Sequence, residues 1–173
     1  MSFHVIQRGV PVAQIAKNFH VLPVKARTEA IRGLGEGGLR VRTMVRRSLR
    51  EQMNVKTMKA VNQRTSSYLN IAGLSFHIKA SGPGLPISNF KTSVTPRGVW
   101  SDPWGNGRVF ARSFSSGGKL RARRGATRFP IRSLRGPSPA KELVKDRTQV
   151  TFENAGHSII LPIIAHRLGK LGF

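Results

Sequence analysis

The stretch Leu74-Ser-Phe-His-Ile-Lys-Ala80 has the two-residue period of a half-buried β-strand, because apolar and polar side chains alternate along it. Upstream, between residues 31 and 49, apolar side chains recur at steps of three and four, which is typical of an amphipathic helix. The helical period returns from Thr148, where isoleucines and leucines form a broad apolar face. These changes of period predict an α+β fold with N-terminal helices, a central small antiparallel β-sheet and a C-terminal amphipathic helix.

The 173 residues predict a single domain with four regions. Residues 1–22 form a lead-in, 23–64 a basic helical region, 68–134 an antiparallel sheet of four or five strands, and 138–173 a C-terminal helical region. The run Gly33-Leu-Gly-Glu-Gly-Gly38 predicts a break between two helices, because each glycine disfavours a helix interior by about 1 kcal/mol. Asn54 predicts a helix stop, residues 109–114 predict one strand, and Pro162 predicts a kink in the C-terminal helix.

Charge is the most unusual property of this chain. Thirty lysines and arginines stand against 7 acidic residues, which gives a net charge of +23. Such a charge destabilises a compact monomer by self-repulsion, so we expect a compensating partner: nucleic acid, an acidic membrane surface or an acidic neighbour in an assembly. The hydrophobic fraction of 39% is sufficient for a core and argues against full disorder. The absence of cysteine excludes disulfides, zinc–thiolate sites and thiol chemistry.

The sequence offers little catalytic machinery. The five histidines share no metal-binding spacing, and seven carboxylates are few for acid–base catalysis or an oxygen-ligand metal cage. We therefore expect a non-enzyme with no catalytic residues, no metal and no cofactor. No membrane association is expected, because the longest apolar stretch, residues 159–165, is far shorter than the ~20 residues that span a bilayer. The first four residues also lack the pattern of a secretory signal.

Two basic clusters are candidates for contact with nucleic acid or with an acidic partner. Arginine predominates in both, and its planar guanidinium favours bidentate phosphate contacts. A solvated face, or pairing with carboxylates of a neighbouring subunit, is an equally open interpretation. If the partner is a nucleic acid, we expect the protein to recognise it by charge and shape, because the sequence contains no motif that reads bases. The helix cluster comprises Arg40, Arg46, Arg47 and Arg50, and the strand cluster comprises Lys119, Arg121, Arg123 and Arg124.

Four segments follow one another in an order that resembles a known family. They are Ala80-Ser-Gly-Pro-Gly-Leu-Pro-Ile-Ser-Asn-Phe90, Gly98-Val-Trp100, Phe110-Ala111 and Arg128-Phe-Pro-Ile-Arg-Ser-Leu-Arg-Gly-Pro-Ser138. This order resembles the prophage minor tail protein Z family, the tail completion proteins of lambda-like tailed phages. The resemblance covers roughly residues 25 to 145, and the glycine run and the long loop at residues 100–107 depart from it. The residues themselves give Pro130-Ile131 and Gly136-Pro137-Ser138 structural tasks, the end of a strand and the capped start of a helix.

The resemblance implies a virion structural protein of the tail or neck that is assembled in the host cytoplasm. It implies a homo-oligomeric ring, with six subunits expected from tail symmetry, between the tail terminator and the head–tail connector proteins. The tape measure protein is a further candidate neighbour, and the basic surface would contact the genome DNA end in the tail lumen. In such a ring the apolar C-terminal helix would pack on a neighbour, which predicts an oligomer interface at Ile159, Ile160, Ile163, Ile164 and Leu168. Deleting residues 148–173 would then abolish oligomerisation.

Two other classes remain as alternatives. A ribosomal or nucleoid-type basic RNA/DNA-binding protein would share the charge and the size, although the apolar C-terminal segment is unlike the basic tails of ribosomal proteins. A basic amphipathic protein on a membrane surface is disfavoured because the basic residues are split between helix and sheet. Since Arg46 and Arg47 are assigned to a polar helix face, reversing both charges is predicted to leave folding intact.

Overall fold

The computed structural model describes residues 3–5 and 23–171, so most of the predicted lead-in lies outside the described residues. Within these residues the helices are α1 (Val24–Met53), α2 (Met58–Asn62), α3 (Pro139–Glu142), α4 (Asp146–Ala155) and α5 (Leu161–Gly169). The strands are β1 (Phe3–Val5), β2 (Thr65–Asn70), β3 (Ser75–Ala80), β4 (Thr92–Thr95), β5 (Gly98–Ser101), β6 (Arg108–Phe110), β7 (Ser113–Ser116), β8 (Lys119–Arg123) and β9 (Ile131–Ser133). The long helix α1, the C-terminal helices and the antiparallel strands confirm the predicted α+β class, and one strand, β1, precedes α1. No helix in the described ranges is long and apolar enough to cross a membrane.

Helix α1 is continuous through the glycine run, so the predicted break into two helices is wrong. Three of the four glycines, Gly33, Gly37 and Gly38, lie where another part of the chain packs tightly against α1. A Cβ on Gly33 would lie 3.1 Å from Ile164 Cγ1, and one on Gly37 would lie 3.1 Å from Ile160 Cα. Close packing against α1 therefore offsets the low helix propensity of glycine. The helix ends where predicted, at Asn54, which has the left-handed conformation (φ +58°) typical of a helix C-terminus.

The strands form three small antiparallel sheets, whereas the sequence predicted one. The strand orders are β1-β3-β2, β4-β5-β6 and β7-β8-β9. The single strand predicted at residues 109–114 is divided between two sheets, because the chain turns at Arg112 with a φ of +57°. The hydroxyl of Ser113 fixes this turn: it accepts a hydrogen bond from the Val99 N–H at 2.6 Å and donates to the Phe110 carbonyl.

The C-terminal helices lie along α1. Helices α4 and α5 are joined by a π-helical segment, Gly156–Ile160, so the irregularity expected at Pro162 takes the form of a widened turn just before it. Gln52 of α1 binds the beginning of the C-terminal helical region. Its Nε2 donates to Glu142 Oε2 (3.0 Å), and its Oε1 accepts from the Thr148 N–H (2.9 Å) and hydroxyl (2.7 Å). One amide thereby links α1 to α3 and α4.

Two of the segments quoted for the family resemblance pair with each other in space. The Leu85 N–H donates to Pro137 O (2.9 Å), the Gly136 N–H donates to Leu85 O (2.8 Å), and the Ile87 N–H donates to Leu134 O (3.1 Å). We call this pairing of residues 85–87 with residues 134–137 the stem. The chain leaves the helical body through the stem, forms β4 to β9, and returns through it. The backbones are so close that a Cβ on residue 84 would overlap the Gly136 carbonyl.

The start of α3 agrees with the sequence in position but not in its hydrogen bond. Ser138 is the N-cap residue and Pro139 occupies the first turn, as predicted. The Ser138 hydroxyl does not cap the helix; it donates to the Gly82 carbonyl at 3.2 Å. This contact joins α3 to the first segment of the resemblance, so Ser138 marks the start of the helix as predicted but does not cap it with its side chain.

Candidate anion-binding surface

One stretch of this chain carries positive charge without any acidic residue. Residues 103–141, from the loop before β6 to the start of α3, contain ten basic residues and no acidic one. Nine of the ten side chains are exposed, and Arg121 is half-buried. They are Arg108, Arg112, Lys119, Arg121, Arg123, Arg124, Arg128, Arg132, Arg135 and Lys141.

The negative charge is located elsewhere, almost all of it on the helices. Six of the seven carboxylates lie in residues 29–51 of α1 or in residues 142–153 of the C-terminal helices, and the seventh is Asp102. The ion pairs that the described part of the chain forms join Glu29 to Arg32 and Arg167, Glu36 to Arg40 and Arg167, and Glu51 to Arg147. None of them reaches residues 103–141. The helices therefore balance part of their charge internally, whereas the segment that carries β6 to β9 has no such compensation.

Strand β8 presents its cations on one face, as the sequence predicted from the alternation of Arg121 and Arg123 with Leu120 and Ala122. Ala122 is buried on the opposite face. The register places Arg121 between Phe114 of β7 and Ser133 of β9. The Arg123 guanidinium lies 5.7 Å from the centre of the Phe114 ring, a cation–π distance. Lys119, next to the turn, continues the same face.

The loop after β8 extends this face. The Arg124 N–H donates to Pro130 O (3.0 Å) and the Thr127 hydroxyl donates to Phe129 O (2.6 Å), so hydrogen bonds hold the loop in shape. Phe129 is 64% exposed, and the Arg128 guanidinium lies 5.7 Å from the centre of its ring. We call Lys119, Arg121, Arg123, Arg124 and Arg128 the basic surface. Sequence reasoning did not single out Phe129, although the lack of acidic residues around it was visible in the sequence.

Three of the four arginines in the predicted helix cluster bind other groups of the same chain. The guanidinium of Arg40 pairs with Glu36 at 2.7 Å. Arg46 donates from Nε to Thr65 Oγ1 (2.7 Å) and from Nη2 to Thr65 O (2.6 Å), which fastens β2 to α1. Burial, with the charge of Arg42, lowers the pKa of Arg46 below its ordinary value. The prediction that Arg46 lies free on a polar face is therefore wrong, because it bonds to a strand that begins 19 residues later.

The two remaining arginines of this cluster differ from each other. Arg50 donates from Nε to Val55 O and from Nη2 to Lys56 O, both at 3.0 Å, and so binds the carbonyls that follow the end of α1. Arg47 is exposed, and no ion pair within the described ranges involves it. Of the four predicted helix residues, only Arg47 is fully available to a partner.

The predicted oligomer interface is largely an intramolecular contact. Ile160 and Ile164 are buried against Gly37 and Gly33 of α1, while Ile159 and Leu168 pack partly buried on the same core. Ile163 is half-buried beside Arg167 in a groove between α1 and α5. The apolar face thus has its partner within the same chain, so the interface assignment is wrong for Ile160 and Ile164. Deleting residues 148–173 would remove side chains that pack on α1, so it would disturb the fold of the single chain.

Arg167 connects the two helices electrostatically. Its Nη1 lies 2.9 Å from Glu29 Oε2, and its Nη2 lies 2.9 Å from Glu36 Oε2. The hydrogen bond from Arg167, followed by that from Arg32, lowers the pKa of Glu29 below its usual value. The hydrogen bond from Arg167, with the charge of Arg40, likewise lowers the pKa of Glu36. Both carboxylates are therefore held in the charged form.

The three histidines between residues 23 and 171 take structural or surface positions. His77 is buried on β3, stacked on Tyr68 at a ring separation of 4.6 Å and hydrogen-bonded through Nε2 to Ser75 Oγ at 2.8 Å. His157 and His166 are exposed. Within residues 23–171 no group of three or more His, Asp or Glu side chains is arranged to hold a metal ion.

Comparisons of the chain with protein-family models, curated proteins and solved structures found no match. The feature that sets this molecule apart chemically is the uncompensated positive charge of residues 103–141. Its arginines can form charge-assisted hydrogen bonds with an anion that presents closely spaced negative groups.

Proposed function

We propose that this protein is a non-enzymatic structural component of a tailed-phage virion, a minor tail or tail completion protein. In this proposal it forms a ring at the head-proximal end of the tail, between the tail terminator and the head–tail connector, with the tape measure protein as a further neighbour. It contacts the DNA end through the basic surface. The observation that carries the DNA contact is the stretch of ten cations without a carboxylate. The order of segments 80–90 and 128–138 favours the tail completion class over other cationic proteins.

Phosphates are the partner that this surface fits best. Guanidinium groups spaced along one strand face can each donate two hydrogen bonds to a phosphate, and their binding releases counterions from the nucleic acid. Neutralisation of the arginines would also relieve the self-repulsion of a chain with a net charge of +23. The contacts would be independent of base sequence, because they rest on charge rather than on donor and acceptor patterns in a groove.

A ring requires a subunit contact other than the buried C-terminal face. Leu39 and Met44 are exposed apolar residues of α1, and the surface between them includes Thr43 and the free arginine Arg47. We propose this part of α1 as the contact between copies. It would leave the basic surface on β8 open to the lumen of the ring.

Mass and shape in solution test this proposal. Light scattering and negative-stain microscopy of the full chain, at low and high salt and with added duplex DNA, should reveal closed rings. Affinity for DNA should fall steeply with salt, as expected when cations replace condensed counterions. A salt-insensitive monomer that binds RNA tightly would instead indicate a ribosomal or nucleoid-type protein and would overturn the proposal.

A further inference from the structure

A second cationic feature lies beside the stem. It is an open groove of about 730 Å³ between residues 82–84, the stem residues 136–137 and helix α3. Pro83, Pro137 and Ala140 contribute apolar lining, and Trp104 lies at the groove. Arg135, Lys141 and Lys145 add positive charge. An apolar groove with a few charged groups is typical of a site that recognises a ligand.

Trp104 is held in a conformation that a bulky side chain rarely adopts. Its backbone is left-handed, with φ +59° and ψ +16°, inside the short turn Pro103–Gly105. The surroundings fix this turn: Pro103 is buried, and Asn54 Nδ2 donates to Asp102 O (3.0 Å) and Asp102 Oδ2 (3.1 Å). The indole nevertheless remains 44% exposed. Strain of this kind persists where the surrounding structure imposes it, and it is concentrated at functional sites.

The charge of the groove is positive although a carboxylate lines it. Glu142 is buried, and its Oε2 accepts a hydrogen bond from Gln52 Nε2 at 3.0 Å. Arg135, Lys141 and Lys145 are exposed, and none of the ion pairs formed by the described residues includes them. Arg135 also donates to Gly84 O at 3.2 Å, which positions its guanidinium beside the groove. The groove therefore offers an aromatic ring and three cations that are in none of these ion pairs.

We propose that this groove docks a short acidic segment of a partner protein. An apolar side chain of that segment packs on Trp104, and its carboxylates meet Arg135, Lys141 and Lys145. Tryptophan and arginine are the residues that most often dominate the energetics of protein interfaces. A second copy of this chain is a poor occupant, because it has no acidic segment: no two of its seven acidic residues lie closer than four positions in the sequence. The inference rests on the proposed function only for the partner's place among the neighbouring tail proteins.

Fluorescence anisotropy with a labelled synthetic peptide tests this inference. The probe is a short peptide of Asp and Glu residues around one central Phe, and a second peptide has Ala in place of the Phe. The proteins are the full chain, Trp104→Ala, Trp104→Phe, the groove variant Lys141→Gln/Lys145→Gln and the basic-surface variant Lys119→Gln/Arg123→Gln. The two double variants lose the same charge, so they separate the groove from general attraction of polyanions to a cation.

We expect Trp104→Ala and the groove variant to bind the probe about tenfold more weakly than the wild type. Trp104→Phe should restore most of the affinity, and the basic-surface variant should stay within about twofold of the wild type. The Ala-centred peptide should bind weakly to every protein. Trp104→Gly should lose the probe yet resist denaturant at least as well as the wild type, because glycine adopts the left-handed conformation without strain.

Equal binding by Trp104→Ala and the wild type would overturn the inference. Equal losses in the two double variants would do the same, since they would indicate unspecific attraction. Displacement of the probe by a single-stranded oligonucleotide, with the same dependence on Trp104, would reassign the groove to nucleic acid. Duplex DNA binding and ring formation by Trp104→Ala are measured in parallel. If both match the wild type while the peptide results contradict the docking inference, the proposed function is unaffected.

Discussion

Gly38 of α1 packs directly against the aromatic ring of Phe76 on β3, and a Cβ on residue 38 would overlap that ring. Gly33 and Gly37 face the C-terminal helical segment, where an added Cβ would lie 3.1 Å from its nearest neighbour. Gly35 is different, because a Cβ there would lie 3.7 Å from Leu69 Cδ2, an ordinary van der Waals distance. The same glycine run thus contains positions that require glycine and one that does not.

Gly38→Ala should lower the free energy of unfolding by about 1–3 kcal/mol, because the added methyl group forces the Phe76 ring or α1 to move. Gly35→Ala is the matched control. It should be neutral or raise the free energy of unfolding by up to about 1 kcal/mol, since alanine favours a helix. Urea denaturation of the two variants measures both effects. A stable Gly38→Ala variant would mean that β3 does not pack on α1 as described.

Arg46→Gln and Arg47→Gln should differ in stability although the residues are neighbours. Arg46→Gln loses the hydrogen bonds to Thr65 at a partly buried position and should lower the free energy of unfolding by about 1–3 kcal/mol. Arg47→Gln changes an exposed side chain and should stay within about 0.5 kcal/mol of the wild type. Chemical denaturation decides between this result and equal effects of the two substitutions, which would place Arg46 on a solvated face.

Arg123→Gln/Arg124→Gln should weaken DNA binding and flatten its salt dependence. The slope of log affinity against log salt should fall by about 0.9 for each phosphate contact that is lost. Arg40→Gln/Arg147→Gln removes the same charge from arginines that are paired with Glu36 and Glu51, so its slope should change little. Titration of labelled duplex DNA at several salt concentrations compares the two variants. Equal slopes would show that net charge, rather than the basic surface, determines binding.

Acid should weaken the contact between α1 and α5. Arg167 lowers the pKa of Glu29 and Glu36 in the folded state below their ordinary value of 4.5. Their stabilising contribution is therefore fully present above pH 4.5 and is lost as the pH falls through the lowered pKa. Thermal unfolding from neutral pH downwards should show Arg167→Gln below the wild type above pH 4.5, with the two curves converging in acid. Arg124→Gln, an exposed arginine, should run parallel to the wild type.

Local patterns predicted those parts of the fold that depend on neighbours in the sequence. The strand at residues 75–80 followed from its alternation, and the end of α1 followed from Asn54. The continuity of α1 could not be predicted in this way, because a glycine's helix propensity is local whereas its packing partner, such as Ile164, is distant in sequence. The separation of the sheets was missed for the same reason, since it depends on the contact of Ser113 with Val99.

In the candidate site, too, the features that depend on neighbours in the sequence could be predicted, and those that depend on distant residues could not. Arg121 and Arg123 share a face because a strand alternates, which the sequence shows directly. The arginines of the helix cluster looked equivalent in the sequence. Their roles differ because Arg46 bonds to Thr65 and Arg50 bonds to the carbonyl of Val55, and the positions of these partners depend on the tertiary fold. The groove beside Trp104 could not be foreseen, because the stem that forms one wall pairs residues about fifty positions apart.

The stem has a mechanical consequence. The chain enters and leaves the segment that carries β4 to β9 at one point. There the Leu85 N–H donates to Pro137 O, and Leu85 O accepts from the Gly136 N–H. A force applied to the arginines of β8 is therefore transmitted to the helical body through two neighbouring segments of the chain, residues 85–87 and 134–137. Each of the two segments bears only part of this force. A polyanion that pulls on the basic surface would therefore strain the stem less than it would strain a connection made of one segment.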